Sequence, residues 1–140
     1  MTPAPAAAEA RPRAPLADLP STLRDEPALA RVLGRTSATI AVPEAARALV
    51  TAGLARLTQR RPIVLAVPTS TEAERLAHDL GAYLGDERVE LFPAWETLPF
   101  ERVSPGVETM GRRLRVLWRL RDVEQATEVV VASVRALVHS

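Results

Sequence analysis

Ile63-Val64-Leu65-Ala66-Val67 is apolar at all five positions and is closed by Pro68. An unbroken apolar run of this kind, rich in β-branched residues, suits a strand covered on both faces, as in a parallel sheet. Immediately downstream, Ala73, Leu76, Ala77, Leu80 and Leu84 recur at helical spacing until Gly85, and Thr71 with Glu74 three residues on matches a capping box. Burying Leu76, Leu80 and Leu84 contributes about 1.5–3 kcal/mol each, enough to hold such a helix on a sheet. Residues 89–92 and 129–132 read as further strands. Upstream, residues 39–42 form a short β-rich run, followed by Pro43 and by a helix carrying Ala45, Ala48, Leu49, Ala52, Leu54 and Ala55 and ending near Leu57. Strands alternating with helices of this length imply βαβ units, right-handed crossovers and a mostly parallel sheet, so the fold class is α/β.

The remaining segments complete this outline. Ser104 and Pro105 make an N-cap and first-turn pair for a long helix, on which Val107, Met110, Leu114, Leu117 and Trp118 are expected to form the buried stripe. Ser133 reads as the cap of a last helix, and the sequence stops at Ser140 almost as that helix begins, so residues 37–140 are expected to be an incomplete α/β domain. Residues 15–36 form a helical lead-in: Leu16, Leu19 and Leu23 fit one short helix, and Asp25 fits as the cap of another that carries Leu29, Val32 and Leu33 and is closed by Gly34. Six of the twelve prolines fall in the first 27 residues, which cannot hold a long helix. Residues 1–14 are expected to be a disordered Ala/Pro-rich tail. The same acid-poor start admits a transit peptide, but the prolines spoil the amphipathic helix that one needs.

Composition excludes several chemistries. The 140 residues contain no cysteine, which removes disulfides, thiolate catalysis and Cys-based metal sites, and makes the cytoplasm the expected compartment. All 18 basic residues are Arg, so neither a Schiff-base lysine nor a phosphate-gripping P-loop lysine is present. A formal charge of +1 gives no global reason to expect nucleic acid. No apolar run approaches the roughly 18–20 residues that cross a bilayer.

A phosphate loop belongs where a strand meets a helix N-terminus. After residues 39–42 that corner is Val42-Pro43-Glu44-Ala45-Ala46-Arg47, with no glycine and with a carboxylate where phosphate would sit. The next corner, Pro68-Thr69-Ser70-Thr71-Glu72, carries no dinucleotide fingerprint. His78 and His139 have no nucleophile pattern beside them and read as surface histidines, and Glu96 and Glu101 flank a loop without the context of a glycosidase pair. No catalytic, cofactor-binding or metal-binding residue is therefore assigned.

Charge is arranged in blocks. Residues 86–101 hold five acids and one Arg, while residues 102–121 hold six Arg and one acid. Arg112, Arg115 and Arg119 share a helical face, which either meets nucleic-acid phosphates or is a solvated face meeting the neighbouring acids; the balanced overall charge favours the second. Residues 91–105 place three prolines and three of the chain's five aromatics in one irregular stretch, with Trp95, Leu98 and Phe100 as anchors. Trp95 and Phe100 are thus candidates for an interaction surface, beside the alternative that they plug the end of the sheet.

Within that stretch, Leu91-Phe92-Pro93-Ala94-Trp95-Glu96-Thr97-Leu98-Pro99-Phe100-Glu101-Arg102-Val103-Ser104-Pro105, followed by Gly111-Arg112-Arg113-Leu114, resembles the signature near the N-terminus of bacterial transcription-repair coupling factors (Mfd). The likeness extends from about Leu16 to the end and includes Val129-Val130-Val131-Ala132-Ser133. The resemblance implies a UvrB-like module, a degenerate P-loop NTPase-like fold, within a large ATP-dependent DNA translocase that displaces stalled RNA polymerase and recruits UvrA for nucleotide excision repair. It implies a non-catalytic scaffold without a working nucleotide site. Contacts with UvrA would then run through a following domain, and RNA polymerase, double-stranded DNA, ATP and Mg would belong to downstream domains. A UvrB-type ATPase fragment with an intact site, and a DNA-binding domain using the Arg112, Arg115 and Arg119 face, are the competing expectations.

Overall fold

The computed structural model describes residues 13–95, 106–122 and 127–138. Its centre is a three-stranded parallel sheet of β1 (Ile63–Val67), β2 (Val89–Phe92) and β3 (Val129–Ser133) in the order β1-β3-β2. Helix α3 (Ser70–Leu84) connects β1 to β2 and α4 (Val107–Arg121) lies between β2 and β3, as the alternating pattern predicts. Helices α1 (Pro27–Val32), α2 (Arg47–Leu57) and α5 (Val134–Val138) complete the set. The expected α/β class is therefore observed.

β3 is buried at every residue because it has a strand on each side and helices on each face. Val129 and Val131 face one core with Ala48, Ala52 and Ala55 of α2 and with Leu76, Leu80 and Leu84 of α3. Val130 and Ala132 face the other, with Phe92, Val116 and Ala136. α2 is almost all small residues on its inner side, so it approaches closely. A Cβ at Gly53 would lie 2.8 Å from Leu23 Cδ1, and this gap seats the 3-10 segment Leu19–Asp25 on α2. Leu16 N–H donates to Ala82 O at 2.9 Å, which fastens the lead-in to the end of α3.

Several boundaries differ from expectation. Residues 39–42 form no strand: all four are exposed or half-buried, and β propensity without a partner and a covered face does not make one. The cap of α3 is Thr69, whose hydroxyl accepts from Glu72 N–H at 3.2 Å, not Thr71. Glu72 itself turns outward to Arg47 at 2.7 Å. Glu26, not Asp25, caps α1. Gly85 ends α3 at φ +96°, and Ser133 Oγ accepts from Ala136 N–H at 3.2 Å as the expected cap of α5. The Ser104 and Pro105 pair lies outside the described residues.

The largest correction concerns α4. Its buried line is Thr109, Arg113 and Val116, with Leu120 half-buried, whereas Val107, Met110, Leu114, Leu117 and Trp118 are exposed. Both lines have helical period, so spacing alone cannot choose between them. Arg113 decides: its guanidinium lies 4.1 Å from the Phe92 ring centroid and 4.5 Å from that of Trp95, and it donates to Pro93 O at 2.7 Å and to Ala136 O at 3.3 Å. β1 is also covered on one face only, since Val64 and Ala66 are exposed.

Candidate functional site

In a parallel α/β sheet the ligand crevice lies beyond the carboxyl ends of the strands. Here those ends are Val67, Phe92 and Ser133. A cleft of about 280 Å³ opens there, lined by Ser70 and Glu74 of α3, Pro93 and Trp95 after β2, Thr109 and Arg112 of α4, and Ser133 and Arg135. The Ser70 and Ser133 hydroxyls stand 3.5 Å apart across its floor. Trp95 reaches this rim because Arg113 is held beneath its ring. Burial also pushes the Arg113 guanidinium below its ordinary pKa.

The strand-to-helix corner at this cleft is the two-residue turn of Pro68 and Thr69 between β1 and α3. Pro68 has no N–H, and the Thr69 hydroxyl already takes the Glu72 amide. The upstream corner at residues 42–47 is not at the sheet, because residues 39–42 are not a strand. It holds two ion pairs that join α2 and the 3-10 turn before it, Glu44–Ala46, to α3: Glu44 with Arg75, and Arg47 with Glu72. The Arg75 guanidinium, by hydrogen bond and charge, holds the Glu44 carboxyl below its usual range.

Two of the expected interaction residues, Trp95 and Arg112, share the cleft, with Arg112 also paired to Glu108 at 2.6 Å. Arg115 and Arg119 converge elsewhere, on Glu90 of β2, with Arg115 at 3.6 Å. Arg119 additionally donates to Glu87 O. Of the three arginines, Arg115 and Arg119 thus meet the acid block of residues 86–101 at the buried Glu90, while Arg112 pairs within its own helix. Phe100, Glu96, Glu101 and His139 lie outside the described residues, and His78 is exposed. Among the described residues no group of three or more His, Asp or Glu side chains is placed to hold a metal ion, and no helix is long and apolar enough to cross a membrane.

Sequence reasoning missed a second charged cluster at the opposite, amino end of the sheet. Glu128 is fully buried, and its Oε1 receives Arg56 at 3.2 Å, Arg61 at 3.5 Å and Arg88. The three arginines come from α2, from the segment before β1 and from the residue before β2. One carboxylate therefore pins three elements to β3. Nothing in local spacing could have revealed this, because Arg56 and Glu128 are 72 residues apart.

No family model matches the chain. It is 45% identical over 105 residues to a transcription-repair-coupling factor of Mycobacterium tuberculosis, a match covering 71% of this chain and 8% of that protein. Transcription-repair-coupling factors of Haemophilus influenzae and Escherichia coli are 37% identical over 62 residues and 33% identical over 69 residues, covering 44% and 49% of this chain and 5% and 6% of theirs. The chain spans less than a tenth of the length of these relatives. Over that stretch, the chain belongs to the transcription-repair-coupling factor family.

Proposed function

We propose that this chain is a non-catalytic, UvrB-like scaffold region of a transcription-repair coupling factor, with a degenerate P-loop NTPase-like fold. The observation that carries this reading is the corner at the carboxyl end of β1. A triphosphate needs a run of free backbone amides, supplied by glycines, with a lysine and a metal-binding hydroxyl to follow. The turn here is two residues long, starts with a proline, contains no glycine, and has its cap hydroxyl engaged. The chain has no lysine at all. These residues do not fit a magnesium nucleotide.

In this reading the 140 residues supply architecture. ATP hydrolysis on Mg, DNA translocation and displacement of RNA polymerase belong to other parts of a longer, cytoplasmic protein, and UvrA is recruited through a neighbouring domain. The relatives' names and the small share of their length that is matched support this division. Isothermal calorimetry of the chain with Mg-ATP is expected to give no saturable heat below millimolar concentration. Micromolar binding would instead favour a UvrB-type ATPase fragment. A DNA-binding role for Arg112, Arg115 and Arg119 draws less support, since each of the three is already in an ion pair. Replacing all three by Ala is expected to leave DNA retention unchanged in a gel-shift assay at about 50 and about 200 mM salt, where a phosphate-binding face would lose affinity steeply.

A further inference from the structure

At the amino end of the sheet, donors outnumber the acceptor they share. Three guanidinium groups reach the same oxygen of Glu128, Oε1: Arg56 at 3.2 Å, Arg61 at 3.5 Å, and Arg88. Oε2 is buried and takes none of them. Each guanidinium carries five N–H donors in a fixed fork, whereas one carboxylate oxygen offers about two lone pairs. Arg61 directs one further donor to Ala55 O at 3.3 Å. The rest are not sealed in, because the Arg56, Arg61 and Arg88 side chains are 29%, 37% and 42% exposed above a fully buried Glu128. The carboxylate thus gathers three cations at one point of the surface.

We propose that this cluster is a phosphate site, in which Arg56, Arg61 and Arg88 close on a phosphate group while Glu128 holds them from beneath. Charge and shape select the ligand. Three cations against one carboxylate leave two positive charges, and Glu87, exposed and 3.9 Å from Arg88, offsets little of that surplus through water. A carboxylate ligand would bring one charge and two oxygens in a plane. A free phosphate or a phosphate monoester carries about −1.5 to −2 and directs its oxygens to several sides. The arginines approach from several sides as well, since they come from α2, from the segment before β1 and from the residue before β2. Guanidinium forks match phosphate oxygens in pairs. The site stands on this geometry and not on the family reading, so its failure leaves that reading in place.

NMR of the arginine Nε–Hε groups reads this directly in the unmodified chain. Sodium phosphate replaces sodium chloride at constant ionic strength and at pH about 7.5, where the dianion prevails. The Arg56, Arg61 and Arg88 signals are expected to shift saturably in the millimolar range, while those of the exposed Arg31 and Arg112 stay in place. Shifts that grow linearly with phosphate, or that are as large at Arg31 and Arg112, overturn the site. Arg61→Gln is expected to weaken the binding about tenfold, by loss of a charge-assisted pair. Glu128→Gln keeps the shape, removes the competing charge and is expected to tighten it, which a purely structural ion pair does not predict. Unchanged affinity in both variants overturns the proposal. A short thymidine oligonucleotide with and without a terminal phosphate separates the sources. Shifts at the three arginines that need the terminal phosphate support the site on nucleic acid; equal shifts with both oligonucleotides and none with free phosphate overturn it, in favour of a nucleic-acid backbone contact.

Discussion

Glu128 shows how much one side chain can hold. A fully buried carboxylate is tolerated only when cations meet it, and here three guanidinium groups from three separate elements do so. Removing it takes away the carboxylate that Arg56, Arg61 and Arg88 share, leaving Arg88 with only its long contact to Glu87 at 3.9 Å. Glu128→Ala is therefore expected to destabilise the fold by about 1–3 kcal/mol in urea denaturation, less than breaking a fully buried pair, because the three arginines left behind keep access to water. Glu44 behaves differently, because its pair with Arg75 is at the surface. Its pKa is lowered in the folded state, so its contribution is present above the unfolded value and is lost as pH falls through the lowered one. Carboxyl-carbon NMR is expected to show Glu44 titrating below ordinary glutamates, and Arg75→Ala is expected to return it to their range. Neither pairing is legible in sequence. Glu44 and Arg75 are 31 residues apart, and only the fold brings them together.

Among the elements, legibility followed the strength of local pattern. Residues 63–67, the Leu stripe of α3 and the glycine at its end form the elements their patterns predict, although the apolar run of β1, which suits cover on both faces, is covered on one. Residues 39–42 have strand-forming side chains but no sheet edge to join, and that information is non-local. α4 failed for a chemical reason: a sequence pattern assigns Arg to the outside, yet Arg113 sits between two rings with two carbonyls to receive its protons. Arg113→Met keeps the length and removes the donors, leaving the Pro93 and Ala136 carbonyls short of a partner. It is expected to lower stability by about 1–3 kcal/mol in thermal or urea melts, although a hydrophobic residue is what the pattern would have placed there. Thr69→Ala removes the cap of α3 and is expected to lower stability by about 1 kcal/mol in the same measurement.

At the scale of the whole molecule, the sheet has a fully buried central strand, one well-covered face and one face only partly clothed. The α/β class and the candidate rim residues Trp95 and Arg112 were accessible from sequence; the position of the site-bearing corner was not, because it depended on which apolar run was the first strand. Amide NMR of the chain during titration with Mg-ATP asks whether the corner at Pro68 and Thr69 cradles a nucleotide. The Thr69, Ser70 and Thr71 resonances are expected to stay in place up to millimolar ATP. Saturable shifts of those three amides at micromolar ATP would contradict it.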